Sequence, residues 1–428
     1  MKFYADLHIH SRFAIACSKR ITLPKIYKWA QLKGITVIST ADFTHPVWNK
    51  EIKKYLKENN TGLLELKKEY SKKVDKKIPK SCRSNVRFIL STEISLIYKR
   101  NNRVRKVHIL ILAPDLKTVD TINAKLANIG NIESDGRPIL GFDSKDLLDM
   151  VLNINEECMV IPAHIWTPWF SMFGDKSGFD SVKECFEDLS KYIYAFETGL
   201  SSDPEMNWMV KDLDKLTIIS NSDAHSLEKI AREANIFNCD LSYSDITKTI
   251  KENNENLLGT IEFFPQEGMY HHDGHRKCNI NWSPNRSIKT NEICPVCKKR
   301  LTIGVLNRVY KMATREFGQK SPNAKSFHYV IPLKEVLSKI LEKGVKTKTV
   351  EKEYYKVINK FGNELSIALD TPIELLNSHS SLLATAIQRI RNKEVQIIPG
   401  YDGVYGEISI FSKSEKDKLK NQKQMKFI

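Results

Sequence analysis

Short apolar segments that carry or end in a histidine, aspartate or glutamate recur along the first half of the chain. The first is Asp6-Leu7-His8-Ile9-His10, in which polar and apolar residues alternate. A period of two places the aspartate and both histidines on one face of a strand and the apolar residues on the other. Later segments of this kind supply Asp42, Glu93, His108, His164, Asp223 and His225. Because helix-length stretches separate most of them, the pattern predicts an α/β fold, a βα barrel with these side chains on one rim.

These residue types are the ones that bind divalent metals in proteins. Imidazole and carboxylate groups suit Zn, Mn, Mg or Fe. The candidate metal ligands are His8, His10, Asp42, Glu93, His108, His164, Asp223 and His225. That set is larger than one tetrahedral or octahedral centre uses, so we expect roughly two to three divalent ions. The alternative for any single segment is a half-buried strand whose histidine is only hydrogen-bonded.

A second candidate site has the spacing of a zinc ribbon. The residues His275, Cys278, Cys294 and Cys297 form the pattern His-x2-Cys-x15-Cys-x2-Cys. Such a set closes a tetrahedral coordination sphere and leaves no position for water, so we predict a structural zinc. His271 or His272 is the alternative fourth ligand. A redox Cys-x-x-Cys pair is less favoured, because the upstream histidine and cysteine would then have no role.

The charge of the chain bears on its partners. The formal net charge is +16, and such an excess favours a polyanion, because neutralised phosphates release condensed counterions. The alternative is that the lysines only keep the protein in solution. No apolar stretch approaches the roughly 18 to 20 residues of a membrane span, and a ligand motif begins within the first ten residues, so we expect a cytoplasmic protein.

The pattern divides the chain into regions. We predict a barrel over residues 1–262, with a Lys-rich helical insertion at about 46–84, and a ribbon over 263–303. Apolar residues at three-and-four spacing then predict a small helical domain over 304–412, followed by a charged tail at 413–428.

The barrel motifs resemble those of the PHP (polymerase and histidinol phosphatase) family. The resemblance is carried by Asp6 to Ser11, Glu93, His108, Pro162-Ala163-His164 and Ser222 to His225. It implies a distorted seven-stranded barrel around up to three metals, and the hydrolysis of phosphoesters. The second motif departs from the family pattern of Thr-Asp-His, because Thr40-Ala41-Asp42 places an aspartate where the histidine would stand. His45 is the fallback ligand at that position.

The whole order of barrel, ribbon and helical region, ending in Pro399 to Gly406, resembles the endonuclease Q family over nearly the full chain. This implies a DNA repair endonuclease that nicks on the 5′ side of uracil, hypoxanthine, xanthine or abasic sites, leaving a 3′-hydroxyl and a 5′-phosphate. In this reading the catalytic residues are His8, His10, Glu93 and Asp223. They would hold one ion, Glu93 would bridge to a second at His108 and His164, and Asp42 and His225 would complete a third position.

The expected substrate is double- or single-stranded DNA containing a deaminated base. Stacking and hydrogen bonds read such a base once it is flipped, and the segment after His164 offers both. The candidate base-pocket residues are Trp166, Trp169, Phe170, Ser171 and Lys176, with the junction around Phe263 to His272 as the alternative location. The candidate DNA-backbone residues are Arg276, Lys277, Lys298, Lys299 and Arg300.

We also expect a monomer, no membrane partner, and a sliding clamp or other repair proteins as candidate partners. The rival functions are a phosphatase or a 3′–5′ exonuclease on the same barrel, or a non-catalytic scaffold that binds DNA.

Overall fold

The computed structural model describes residues 1–412 and Glu415, so most of the charged tail predicted at 413–428 lies outside the described residues. In the first part the strands are β1 (Lys2–Asp6), β2 (Val37–Ser39), β3 (Leu56–Glu58), β4 (Leu64–Leu66), β5 (Arg87–Arg100), β6 (Arg103–Ala113), β7 (Ile139–Leu140), β8 (Met159–Pro162), β9 (Ala195–Glu197), β10 (Thr217–Ile219), β11 (Ala234–Asn238) and β12 (Leu257–Glu262). The helices are α1 (Leu23–Lys33), α2 (Pro46–Tyr55), α3 (Lys68–Asp75), α4 (Leu116–Ile129), α5 (Ser144–Ile154), α6 (Val182–Phe186), α7 (Pro204–Trp208) and α8 (Tyr243–Glu252).

The later elements follow in the same order. The strands are β13 (Asp273–His275), β14 (Ile280–Trp282), β15 (Ser326–Tyr329), β16 (Gln396–Ile398) and β17 (Glu407–Ser409). The helices are α9 (Pro284–Lys289), α10 (Val305–Met312), α11 (Leu333–Leu341), α12 (Lys348–Phe361), α13 (Glu364–Leu369), α14 (Ile373–Asn377) and α15 (Ser381–Arg391). The architecture is the expected one, a distorted βα barrel followed by a small ribbon and a helical region.

The main sheet is mixed, which distorts the barrel. Its path runs β15-β12-β11-β1-β2-β5-β4-β3, while β6 joins β5 to β8. The β1–β2 and β2–β5 pairs are parallel, but β11–β1, β5–β6 and β6–β8 are antiparallel. The parallel pair β9–β10 closes the ring, because the Asp223 N–H donates to the His8 carbonyl at 3.0 Å and the His10 N–H to the Ala224 carbonyl at 3.1 Å.

A long hairpin replaces one of the expected helical crossovers. Strand β5 pairs with the whole of β6, from Leu90 opposite Ala113 to Arg100 opposite Arg103. The turn residues Asn101 and Asn102 have φ of 52° and 57°, the left-handed region that a two-residue hairpin turn requires and asparagine tolerates. The hairpin therefore brings the middle of β6 beside the middle of β5.

The predicted insertion at 46–84 is not entirely helical. Between α2 and α3, strands β3 and β4 form a hairpin whose Leu64 pairs with Phe88 of β5. Leu64 and Leu66 are buried on either side of the half-exposed Glu65, a period of two that favours a strand over a helix. The hairpin covers one edge of the sheet.

The helical region packs directly against the barrel. A buried ion pair joins Lys33 Nζ of α1 to Glu364 Oε1 of α13 at 2.8 Å. At Gly34 φ is 97°, a conformation that favours glycine, and a Cβ there would meet the side chain of Asn363. Strand β15 adds to β12 in parallel, from Gly259 opposite Ser326 to Glu262 opposite Tyr329. Within the described part of the chain, no helix is both long enough and apolar enough to cross a membrane.

Candidate functional site

Two groups of ligand side chains lie together at one end of the barrel. The first contains His8 and His10, just after β1, and Asp223, which follows β10; the second contains Glu93 of β5, His108 of β6 and His164 after β8. Within each group the ligand atoms lie within 4.8 Å of one another. Residues that follow β1, β8 and β10 thus meet residues from the middle of β5 and β6 in one place.

In the first group, close contact does not produce hydrogen bonds. His10 Nε2 lies 3.0 Å from Asp223 Oδ1, and His8 Nε2 lies 4.0 Å from the same oxygen. All three atoms are buried and have no hydrogen-bond partner among the described residues. An unsatisfied buried polar atom costs about 1–3 kcal/mol, so three that converge on one point fit a bound cation.

Glu93 lies between the two groups, and each of its oxygens faces a different one. Oε1 is 2.9 Å from His108 Nδ1 and 3.0 Å from His164 Nε2. Oε2 is 3.2 Å from His10 Nε2 and 3.7 Å from His8 Nε2. This arrangement is typical of a carboxylate that bridges two metal ions.

Two further carboxylates hold the first pair of histidines in orientation. Glu197 accepts from His8 Nδ1 at 3.0 Å, and Asp42 accepts from His10 Nδ1 at 2.9 Å. Each contact turns the Nε2 atom of its ring toward the cluster, as outer carboxylates commonly do at metal sites. The other oxygen of Asp42 accepts the Ser11 N–H at 2.6 Å. Asp42 therefore lies behind His10, and its predicted position as a ligand at the cluster is corrected to an orienting one.

The two remaining candidate histidines lie outside both groups. His225 is 32% exposed in its side chain, its ring packs edge-on against His10 at 4.7 Å, and its Nδ1 contacts the Asp223 carbonyl. This places His225 at the mouth of the cluster. The ring of His45 instead stacks on Phe13 at 4.1 Å, at the start of α2.

The carboxylates suit cation binding, whereas, against the effect of burial, Glu197 and Asp42 raise the pKa of His8 and His10 well above its usual value, so a metal would displace a proton from each of these rings. Burial opposes ionisation of Glu93, but His108 and the Arg137 guanidinium hold the pKa of that carboxyl well below its usual range. His10 has the same effect on the pKa of Asp223, again against burial. Burial lowers the pKa of His108 to about 4, despite the opposing charge of Glu93. The carboxylates are therefore ionised near neutral pH, while the imidazole of His108 is neutral and free to coordinate.

Backbone strain accompanies these positions. Asp223 and His164 have φ of 46° and 29°, which L-residues other than glycine seldom adopt. The strain is supported by tertiary contacts: Glu197 Oε2 accepts the His164 N–H at 3.3 Å, and the Asp223 N–H bonds to His8. Strain of this kind is concentrated at functional sites.

The ribbon also assembles as a compact ligand set. The ligand atoms of His275, Cys278, Cys294 and Cys297 lie within 4.8 Å of one another, and His275 Nδ1 is 3.2 Å from Cys297 Sγ. Neither alternative histidine belongs to this group. His272 Nδ1 contacts Asn281 Oδ1 at 2.9 Å, and the buried His271 lines a separate cavity.

That cavity, of about 760 Å³, lies at the junction of the barrel and the ribbon. Its wall includes Trp169, Arg232, Phe263, Tyr270, His271 and Tyr405. A smaller recess of about 150 Å³, lined by His164, Glu197, Asn221 and Asp223, shares Thr167, Leu200 and Ser201 with it. The cavity thus adjoins the ligand cluster, at the place given as the alternative for the base pocket.

Two of the predicted base-pocket residues are inaccessible. Trp166 is 1% exposed, and its indole Nε1–H donates to Asn207 Oδ1 at 2.7 Å. Ser171 is fully buried and donates to the Thr167 carbonyl. Both are corrected to packing residues, because a side chain closed off by protein on all sides cannot stack on or bond to a base.

The other three base-pocket candidates are at least partly accessible. Trp169 is 41% exposed and packs edge-on against Tyr270 in the cavity wall. The ring of Phe170 lies 4.9 Å from that of His108, and Lys176 is exposed beside Asp175. Neither Phe170 nor Lys176 is part of the cavity wall.

The five basic residues proposed to contact DNA are all exposed on the ribbon: Arg276, Lys277, Lys298, Lys299 and Arg300.

Two residues of the centre were not predicted from the sequence. Glu197 follows the apolar Ala195-Phe196 at the end of β9, the same signal that identified the other acids. Arg137, whose Nη1 donates to Glu93 Oε2 at 3.0 Å, gave no such signal because it lies in a loop and cannot bind a metal.

Comparison with known proteins gives matches over part and over all of the chain. The family model described as the MJ0043 C-terminal domain matches residues 332–394. The protein MJ0043 of Methanocaldococcus jannaschii is 31% identical over 253 residues, 57% of this chain, and the match spans only 31% of MJ0043 itself. The protein YqxK of Bacillus subtilis is 25% identical and covers 95% of this chain and 99% of its own.

Two solved structures are similar over nearly the full length. The crystal structure of the lesion-specific endonuclease PfuEndoQ from Pyrococcus furiosus has a TM-score of 0.83 at 30% identity, covering 99% of both chains. A complex of endonuclease Q with a 27-mer duplex substrate, which has an abasic lesion at the active site, has a TM-score of 0.81 at 30% identity. It covers 96% of this chain and 97% of that one.

Proposed function

Because the chain belongs to the endonuclease Q family, we propose that it is a metal-dependent DNA repair endonuclease that nicks DNA at damaged nucleotides. The observation that carries the proposal is the position of Glu93, one oxygen toward His8 and His10 and the other toward His108 and His164. A carboxylate placed in this way would bind two ions, and a pair of divalent ions is the kind of centre that cleaves phosphodiesters.

The side chains have separable roles in this proposal. His8, His10, Glu93 and Asp223 would hold one ion, Glu93 with His108 and His164 would hold a second, and His225 would contribute to a third at the mouth. Divalent ions bound there would activate water, neutralise the charge on the phosphate and stabilise the leaving oxygen. Asp42 and Glu197 keep the imidazole rings of His10 and His8 in the orientation that ligation requires.

We infer cleavage on the 5′ side of uracil, hypoxanthine, xanthine or an abasic site, so that the bond between phosphorus and the 3′-oxygen breaks. The products are then a 3′-hydroxyl and a 5′-phosphate. Deamination replaces an exocyclic amino group by a carbonyl, so a pocket that donates a hydrogen bond at that point accepts the damaged base and rejects cytosine or adenine.

The cavity beside the metal cluster is the proposed site for the flipped base. Its volume of about 760 Å³ exceeds what a base needs, and Trp169 and Tyr270 offer aromatic surface for stacking. It shares Thr167, Leu200 and Ser201 with the recess at His164 and Asp223, so a base in the cavity leaves its phosphate near the ligand cluster.

The ribbon would be stabilised by zinc and would contact the DNA backbone. A structural zinc at His275, Cys278, Cys294 and Cys297 would replace the apolar core that a ribbon of this size lacks, while its exposed lysines and arginines contact phosphates. The functional regions are the barrel to residue 262, the ribbon to 303 and the helical region beyond it. We also propose that the protein is a monomer and that it binds a sliding clamp.

A single assay tests the function. A 5′-labelled duplex with one internal uracil is incubated with the enzyme and Mn²⁺ or Mg²⁺, beside an identical duplex containing cytosine. One discrete nick 5′ to the uracil, lost on addition of EDTA, is expected. A ladder would point to an exonuclease and an uncut shifted band to a DNA-binding scaffold; either result would contradict the proposal.

A further inference from the structure

Arg137 places a permanent positive charge inside a centre otherwise built from cation ligands. Its Nη1 donates to Glu93 Oε2 at 3.0 Å, and its side chain is 22% exposed whereas that of Glu93 is fully buried. The guanidinium therefore lies between the ligand cluster and solvent. No other hydrogen bond from its side chain is made within the described residues, which leaves further donors available at the mouth of the site.

The loop that carries Arg137 is fixed to the segment that carries His10. Asp135 accepts the Arg137 N–H at 2.8 Å through one oxygen and the Ile15 N–H at 3.1 Å through the other. A Cβ on Gly136 would collide with Asp42 and with the backbone of Ala14, so this loop approaches the cluster as closely as the backbone allows. The guanidinium is thus delivered by a rigid support rather than by a free loop.

A cationic side chain beside a metal site repels the metal ion, so its presence there indicates another role. Arginine stays protonated at any pH in the working range and cannot ligate a metal. The group that a fixed, forked donor at the edge of a metal site matches best is the phosphate on which the metals act.

We propose that Arg137 is a further catalytic residue, which donates a hydrogen bond to a non-bridging oxygen of the scissile phosphodiester. This inference rests on the proposed nuclease function. The oxygen of water bonds to phosphorus and gives up a proton, while the bond to the 3′-oxygen breaks and the 3′-oxygen takes up a proton. Negative charge builds on the non-bridging oxygens during this exchange. A guanidinium already in position stabilises that charge without reorganisation.

The test compares Arg137→Ala and Arg137→Lys with the control Arg87→Ala. Arg87 pairs with Glu65 at 3.2 Å, is 25% exposed and lies six residues before Glu93 on the same strand, so it matches Arg137 in exposure and pairing. Single-turnover nicking of the uracil duplex should fall about 100-fold in Arg137→Ala and less in Arg137→Lys, and should be unchanged in the control. Metal content and affinity for the lesion duplex should stay at wild-type values.

Phosphorothioate substrates separate a catalytic contact from a structural one. Sulfur accepts hydrogen bonds poorly, so wild-type enzyme should nick one diastereomer at the scissile linkage more slowly than the oxygen substrate. In Arg137→Ala that difference should shrink, because the contact is already lost. Loss of metal from Arg137→Ala, an unchanged nicking rate, or an unchanged sulfur effect would each overturn the proposal. If the wild-type enzyme does not nick at all, it is instead the proposed function that fails.

Discussion

Oε1 of Glu197 lies 3.0 Å from Nδ1 of His8, with both side chains almost completely enclosed. Asn221 Nδ2 donates to the same oxygen at 2.7 Å, and the His164 N–H donates to the other. One carboxylate therefore links the first ligand group to the second without belonging to either. Its task is to fix the ring of His8 and to stabilise the strained backbone at His164.

Glu197→Gln should weaken metal binding while leaving all six grouped ligands in place. An amide holds the His8 ring less strongly than a carboxylate, and outer-sphere substitutions of this kind cost roughly 10- to 100-fold in metal affinity. Isothermal titration of metal-stripped protein with Mn²⁺ measures the effect. Glu205→Gln, which removes only a surface pair with Lys393, should titrate like the wild type; equal affinities for all three proteins would contradict the orienting role.

Asp223→Asn should reduce nicking by at least about 100-fold, since it removes a ligand charge where the reaction needs it. Lesion binding should remain largely intact because the DNA-contacting surface is not reshaped. A gel-shift titration alongside the nicking assay distinguishes the two effects. Wild-type cutting by this variant would refute the placement of the metal site.

Cys294→Ser should release the ribbon zinc and lower the melting temperature. A ribbon with so small a core depends on its metal for folding, so DNA affinity should fall with it. Elemental analysis should show zinc lost from the ribbon and the barrel metals retained. Cys239→Ser, outside the ribbon, is the control. If zinc content is unchanged in Cys294→Ser, the assigned ligand set is wrong.

Trp169→Ala should reduce the preference for uracil over cytosine, because without the stacking surface, worth about 1–3 kcal/mol per base, a flipped base is no longer held against the donor that distinguishes the two. The slope of affinity against salt should be nearly unchanged, since stacking releases no counterions. Tyr192→Ala, which removes an aromatic side chain of similar exposure that does not line the cavity, should leave the preference at its wild-type value. A wild-type preference in Trp169→Ala would exclude the tryptophan from the base pocket.

Neutralising Lys298 and Arg300 should change affinity and its salt dependence but not the preference for the lesion. Binding to damaged and undamaged duplex should weaken alike, and the salt slope should fall by about 0.9 for each lost phosphate contact. If specificity and salt slope changed together in both sets of variants, lesion choice and backbone binding could not reside in separate surfaces.

Glu262→Gln should make stability less dependent on pH. Burial raises the pKa of Glu262 from 4.5 to about 8, and burial together with Glu262 raises the pKa of Glu233 well above its usual value. The folded state therefore holds a proton that the unfolded state releases, so the free energy of unfolding decreases as pH rises from about 4.5 to 8. Melting temperatures across that range should decline less in Glu262→Gln than in the wild type or in the exposed control Glu156→Gln. Parallel declines would contradict this assignment.

Much of the centre could be predicted because each ligand follows an apolar segment. In a barrel, residues just past the strand ends share one rim, so local pattern is enough to bring His8, His164 and Asp223 together, whereas Glu93 reaches them from within β5. The grouping of His275, Cys278, Cys294 and Cys297 could be predicted for a similar reason, since these residues lie at fixed short spacings. Neither inference needed knowledge of long-range packing.

The errors arose where the outcome depends on partners far away in the chain. The indole of Trp166 is buried because Asn207, 41 residues later, satisfies its N–H, and no local pattern reveals that pairing. Asp42 has the right residue type for a ligand, but its two oxygens are taken by His10 and Ser11. Arg137 could not be identified from the sequence, because an arginine in a loop belongs to no periodic pattern.

The pairing of β15 with β12 has a consequence for how this chain can be divided. Residues 326–329 supply the outermost strand of the barrel sheet, and Val305, Val309 and Leu365 belong to the same apolar core as the barrel strands. A fragment ending at residue 303 would leave the edge of β12 open to pairing with other molecules. We expect such a truncation to self-associate, and the intact chain to melt in a single transition rather than releasing its carboxyl-terminal helices first.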